Sequence, residues 1–337
     1  MKKIFSLIML CFFLTNYRVI AADGQIFLRH NGKMVQTFQS SELPNAVNAA
    51  EEGDTIFLTK GRFYHGSSFS ITKSIHIIGA GVDESNYWGE NSCVIQGDDI
   101  SITNQDNGKI HNISFEGVYL TQDLNLRADI ENVTFKKCKN GNTIYFVSEK
   151  SIENIKFDRC MLNYIQTNNQ PGIGNLVAKN CKIEELCGGT GLKETTLLKF
   201  INCNISKIGA DFNGIFVNSI INSISNGSTS YHSATGILVN TLYHGRSGYD
   251  PMENVPQQDC WLATETLIPT DNDLNCSLSS TELIGAGRVG LDGTPVGIEG
   301  GVNPYSLTIH APSINIKSSK VDGDTKTVTI NVSATAK

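Results

Sequence analysis

The densest run of side chains suited to chemistry is Tyr243-His244-Gly245-Arg246-Ser247-Gly248-Tyr249-Asp250. Tyr231-His232 stands 12 residues before Tyr243-His244. Aromatic faces beside Arg and His suit an acidic sugar, since a ring offers an apolar stacking surface and a guanidinium a planar fork for a carboxylate. His244 or Arg246 is placed to serve as a base, and Tyr231, His232, Tyr243 and Tyr249 as binding surface. The bland alternative is a solvated loop. Asp98-Asp99 after Gly97 is the second candidate. Glycoside hydrolysis needs two positioned carboxyl groups, whereas an Asp pair after Gly is also an ordinary turn. Tyr87 and Trp88, in a loop over 82–93, form a third candidate, because loops of that length often carry binding function.

Those residues must be held by something periodic. Cys138, Cys160, Cys181 and Cys203 recur at steps of 22, 21 and 22 residues. They belong to five segments beginning at Ile110, Ile130, Ile152, Ile173 and Thr195, with the shared form Ile-x-Asn-(Val/Ile/Leu)-x-Phe-x-x-Cys. A fixed period of this size predicts a solenoid. Ile152-x-x-Ile155-x-Phe157-x-x-Cys160-x-Leu162 also satisfies a leucine-rich repeat. The other half of each repeat decides between them. Asn140-Gly141-Asn142-Thr143-Ile144-Tyr145-Phe146-Val147 is a turn signal followed by a β-branched and aromatic run, not an amphipathic helix. Several short strands per coil predict a parallel β-helix.

In that fold, residues two apart share a face. Ile113 and Phe115, Val133 and Phe135, Ile155 and Phe157, and Leu198 and Phe200 are then stacked inward columns, with Ala178 replacing Phe in one coil. Asn112, Asn132, Asn154 and Asn175 precede the inward strand. Asn tolerates a left-handed bend, so they predict a structural Asn ladder rather than sugar ligands. The periodic cysteines predict a column of free thiols about 4.8 Å apart. Disulfides between rungs are the alternative, and no Cys-x-x-Cys pair marks zinc. Val217-Asn218-Ser219 and Val239-Asn240-Thr241 echo Ile201-Asn202-Cys203. Their hydroxyls predict that the column ends or changes register there.

The ends need separate elements, because open strand edges invite aggregation. Gln25 to Arg29 and Met34 to Phe38 flank a hairpin signal. Ser41-Glu42-Leu43-Pro44 opens a short helix to about Glu51, with Ala46, Val47, Ala49 and Ala50 on its apolar side. Ala46 to Ile56, Leu58 to Tyr64 and Ile71 to Gly81 together resemble the N-terminal region of the pectin-lyase-like superfamily. The resemblance spans residues 43–81 and extends more weakly to about 245. It implies a right-handed parallel β-helix and a carbohydrate-related role. Lyases of this type imply a Lys or Arg base with Ca²⁺, and hydrolases clustered Asp residues. The companion Asn-Thr-Asp, Gly-His-Gly and Arg-Ile-Lys motifs are missing here. The Gly-rich stretch 285–301 is similar to the tail of many secreted β-helix proteins of gut anaerobes. Ile314 and Ile316, then Val328, Ile330 and Val332, alternate around Asp322-Gly323-Asp324, which predicts a terminal β-hairpin. Ca²⁺ at Asp322 and Asp324 is the alternative, without the later ligands of an EF-hand.

The expected class is all-β: a right-handed parallel β-helix with a short N-terminal capping helix and a C-terminal hairpin cap. The expected divisions are a signal peptide over 1–21, hairpin and helix over 22–53, β-helix over 54–300 and tail over 301–337. Lys2 and Lys3 precede the apolar run Ile4 to Leu14, and Val19-Ile20-Ala21 offers a cleavage site, so export is expected to the periplasm, cell surface or exterior. Leu10 before Cys11 does not fit lipoprotein processing. Loss of Lys2, Lys3 and Arg18 takes the formal charge from −6 to −9. That balance disfavours nucleic acid, and no later stretch predicts a membrane span. No cofactor is evident. The expectation is an exported protein that binds, and in one reading processes, a complex polysaccharide. The alternative is a noncatalytic adhesin-like or structural surface protein with a protein partner.

Overall fold

The computed structural model describes residues 24–104, 108–147, 150–167, 173–188, 198–209, 213–223, 235–244, 256–263, 266–268, 274–307, 313–322 and 327–335, the last two stretches through their backbone. The expected signal peptide lies outside the described residues.

The chain forms a parallel β-solenoid of about eight turns. Its strands fall into two long sheets, of twelve and thirteen strands among the described residues. Like stacks on like because the repeat length matches one coil. Ile130–Lys136 pairs in parallel with Ile110–Glu116 and Ile152–Asp158, placing Phe135 opposite both Phe115 and Phe157. The three rings stack at 5.2 and 5.0 Å. Ala178 follows in the column, then Phe200 and Phe216, which stack at 5.2 Å. All are buried.

The corner between the sheets is built from two residues. The first is left-handed: Gly117, Lys137, Arg159, Asn180, Asn202, Asn218, Asn240 and Asp259 all have positive φ. One such residue turns the chain sharply, and Gly and Asn tolerate it best. The second is small and mostly buried: Val118, Cys138, Cys160, Cys181, Cys203, Ser219, Thr241 and Cys260. All eight cysteines among the described residues are free thiols. Cys138 donates to the carbonyls of Phe115 and Lys136, both at 3.3 Å. Ser219 and Thr241 bond to the equivalent carbonyls: Val217 and Phe200 for the first, Val239 and Phe216 for the second. The column therefore keeps its register through the hydroxyls, against expectation, because a hydroxyl can satisfy the same acceptors as the thiol.

Asn112, Asn132 and Asn154 have positive φ and form an amide ladder at 3.0 and 3.2 Å. Asn175 departs from it. It is exposed, lacks the left-handed φ, and its carbonyl accepts from Ile155 N. Here the strand starts late, at Leu176–Lys179, so no bend is needed at 175.

At the N-terminal end Gln25–His30 and Lys33–Gln39 are antiparallel, turning at Asn31 and Gly32. Gln25–His30 also pairs antiparallel with the first coil strand, Asp54–Leu58. The helix Leu43–Ala49 buries Leu43, Ala46 and Val47; Ala49 is exposed rather than on the apolar side. Ser313–Asp322 and Thr327–Thr335 form an antiparallel pair.

The last coil strands are Gln257–Gln258 and Trp261–Ala263. Beyond them, 274–307 is not further coil, as the 54–300 division had it. It runs back along the flank of the second sheet. Asn222 accepts from Leu267 N and Ile268 N, Asn240 donates to Val289 O, and Asn218 accepts from Leu291 N. Further back, Asn180 donates to Ile298 O and Gly300 O, and Leu307 N reaches Glu84. This strap, together with loop 82–92, covers an outward column of the second sheet. Pairing places Val94, Tyr119, Lys139, Met161, Lys182, Asn204, Ile220, Leu242 and Trp261 in that column. A second apolar cluster results, outside the solenoid core.

Candidate functional site

The strap and loop 82–92 decide which candidates meet. Trp88 is 45% exposed, with its ring 5.3 Å from Tyr119. Arg62, from the strand Gly61–His65, lies with its guanidinium carbon 5.6 Å from the Trp88 centroid and donates to Trp88 O at 3.0 Å. The indole is thereby held over the sheet with one cation beside it. Tyr87 is half-buried, not an exposed platform. Its ring is edge-on to Tyr119 at 6.2 Å and its hydroxyl donates to Met161 Sδ at 3.3 Å.

Lys139 lies beneath these rings. It is only 8% exposed, and its Nζ is 3.7 Å from the Tyr87 centroid, 5.4 Å from Tyr119 and 3.2 Å from Met161 Sδ. Burial, then the charge of Lys182, push its amine down to about 8. Lys182, 3% exposed, lies 4.5 Å from the Tyr305 centroid. Tyr305 comes from the strap, and its buried hydroxyl has no hydrogen-bond partner among the described residues. Burial first, then Glu84 and Tyr87, push that phenol far up.

A second polar group sits on the other flank. Pairing places Tyr164, Glu185 and Lys207 in one column, with Glu184 beside Glu185. Lys207 donates to Glu185 Oε1 at 2.7 Å. Burial, reinforced by Glu185, raises Glu184, and burial with Glu185 pushes the Cys187 thiol up to about 11.

The run from Tyr243 does not form the expected surface. Tyr243 is buried, because its position on the strand Leu242–His244 points inward, and its hydroxyl donates to Gln257 Oε1 at 3.2 Å. His244 is half-buried, and its Nδ1 donates to Asn222 O at 2.9 Å. Arg246, Tyr249, Tyr231 and His232 lie outside the described residues. Asp98 and Asp99 are exposed at the corner between Cys93–Gly97 and Ile100–Ile102, and Asp99 O accepts from Phe69 N. The nearest buried histidine, His65, bonds Ser67 O and Gln122 instead.

Sequence reasoning missed Lys139, Lys182, Tyr305, Glu184 and Glu185. A signal existed for the lysines: each directly follows a periodic cysteine, at the start of a strand. Among the described residues no group of three or more His, Cys, Asp or Glu is placed to hold a metal ion. Asp322 ends a strand, and Asp324 lies outside the described residues. A cavity of about 180 Å³ opens between strap and sheet, lined by Asn204, Ile220, Cys276, Leu283, Val296 and Glu299 among others. It is below the usual size of a small-molecule pocket. No helix among the described residues is long and apolar enough to cross a membrane. No protein-family model matches the chain, and no curated protein matches it.

Proposed function

We propose that this chain is an exported, right-handed β-helix protein of the pectin-lyase-like type that binds an acidic polysaccharide at the Trp88–Arg62 platform. In this reading Gln25 to Ala49 and the terminal β-hairpin cap the two ends. The observation that carries it is an exposed indole with a guanidinium 5.6 Å from its centroid. A sugar ring stacks on the indole while the guanidinium takes a carboxylate. Binding without catalysis is the primary activity.

The test is affinity for a panel of acidic and neutral polysaccharides, with and without Ca²⁺, following unsaturated-uronate absorbance and new reducing ends in parallel. Binding to uronate-bearing chains is expected, and Trp88→Ala should weaken it about tenfold, which corresponds to roughly 1.4 kcal/mol. Equal affinity of the variant sinks the platform. A second reading is glycan processing, with Glu184, raised by burial, as the candidate acid. New reducing ends that Glu184→Gln abolishes would establish it. A protein-partner reading rests on the half-buried outer stripe Val177, Ile201, Ile215, Val217 and Val239, with Ile237 at 44% exposure. Concentration-dependent self-association or partner binding lost in Ile237→Lys would support that reading instead. Export predicts a mature N-terminus near Ala22, which N-terminal sequencing of secreted material checks.

A further inference from the structure

The Trp88–Arg62 pair sits on a strand that carries more than one sugar needs. Along Gly61–His65, Phe63 and His65 are buried while Arg62 and Tyr64 are exposed, so Arg62 and Tyr64 leave the same face. Tyr64 is 58% exposed, more than Trp88, and stands roughly 7 Å along the strand from Arg62. This strand is the outermost of its sheet path, so among the described residues no further coil strand flanks it on the N-terminal side. Lys60 immediately precedes the strand and is exposed. Its Nζ donates to Asn91 Oδ1 at 3.4 Å, on the loop that also carries Trp88. Lys60 and Arg62 therefore both hold loop 82–92 through neutral acceptors. Neither has a carboxylate within ion-pair distance among the described residues. Of the loop's acidic residues, Asp83 accepts from Ser85 and Glu84 from Leu307 N, while Glu90 is exposed and opposes an anion.

We propose that Lys60, Arg62 and Tyr64, together with Trp88, form a multi-unit strip that reads acid groups on consecutive sugars of one chain. This rests on the glycan-binding reading above and adds the class of chain to it. A single acidic sugar occupies Trp88 and Arg62 and leaves Lys60 and Tyr64 unused. A chain with an acid on each successive unit engages all four. Trp88 and Tyr64 each stack a sugar ring, and Arg62 and Lys60 each take one anion. The planar fork of Arg62 suits a carboxylate, whereas the Lys60 ammonium is a point charge that takes carboxylate or sulfate alike. Both cations are solvent-exposed, so their share of the binding is screened by salt.

The experiment titrates the full chain, by calorimetry, with homo-oligouronates from a single unit to a hexamer. Two further ligands of hexamer length are a sulfated chain and a chain with an acid on every second sugar. Affinity is expected to climb with the number of uronate units. Tyr64→Ala and Lys60→Gln should each weaken hexamer binding about tenfold and leave the single uronate unchanged. Lys60→Gln should also flatten the salt dependence, and Glu90→Gln should tighten the hexamer. Unchanged Tm in all three variants shows that the fold is intact, since each side chain is exposed. A sulfated chain that binds as well, with the same losses in Tyr64→Ala and Lys60→Gln, supports the strip and assigns it either anion. Equal affinity for the alternating chain would overturn the reading of consecutive acids. Wild-type binding by Tyr64→Ala and Lys60→Gln, while Trp88→Ala still weakens it, would overturn the strip and leave the single-sugar platform standing. Absence of binding at every length would overturn both.

Discussion

Phe157 lies 5.0 Å ring to ring from Phe135 on one side and opposite Ala178 on the other. It is 1% exposed, so Phe157→Ala should cost about 3–5 kcal/mol in urea unfolding. A near-neutral result would contradict the inward register. Lys139 carries a pH signature. Its folded amine titrates at about 8 against an ordinary 10.5, so within that window the unfolded chain binds the extra proton. Stability should therefore rise with pH across it, by at most about 3 kcal/mol, and Lys139→Met should flatten the dependence while stabilising the protein at neutral pH. Urea titrations at several pH values in carbonate-free buffer check both. Unchanged slopes would mean that the amine is better solvated than its burial implies. The ladder thiols Cys138, Cys160 and Cys181 are pushed well up by burial and should resist a thiol reagent until denaturant is added.

At the scale of elements, the two-residue corner is the device that turns every coil. Lys137, with φ of 51°, occupies a position that Asn holds in later coils. A left-handed backbone costs a non-Gly residue about 1–2 kcal/mol, so Lys137→Gly should stabilise by about 1 kcal/mol. Asn154→Ala should destabilise by a similar amount, through loss of both its tolerance for the bend and its amide bond to Asn132. Thermal melts that reverse these two signs would show that the corner residues are chosen for something other than backbone conformation. Much of this element was legible. Ile201-Asn202-Cys203 and its echoes already display the corner as a left-handed residue followed by a small buried one. The misreading of Ser219 and Thr241 came from treating a hydroxyl as foreign to the column, when its carbonyl acceptors serve either atom.

For the whole molecule, the strap is what the solenoid alone does not provide. It approaches so closely that glycine is required at Gly297, where φ is 87° and an added Cβ would lie 2.5 Å from Asn204 Oδ1. Gly297→Ala should loosen the strap, exposing Ile220 and its neighbours to an apolar dye and lowering Tm while far-ultraviolet circular dichroism stays that of a β protein. Loss of the solenoid signal as well would mean that the coils depend on the strap for folding. The strap also explains why the candidate site was only partly legible. Trp88 and Tyr87 stood out as a loop pair. Their backing by Lys139 and Met161, and the arrival of Tyr305, require contacts across 52 and more residues.

The amino-acid sequence by itself determined the parallel solenoid, its period and its inward columns. Coil-to-coil contacts join residues one repeat apart, so each packing requirement is written again every 20 to 22 residues and shows as a pattern. The tertiary structure alone decided that 274–307 folds back along the flank and that Tyr243 is buried. It alone also brings Lys139 against Tyr87 and Lys182 against Tyr305. Those contacts are made once and repeat nowhere, so no periodicity announces them. They depend on where the accumulated stacking of coils carries each outward side chain relative to a strap that arrives from the far end.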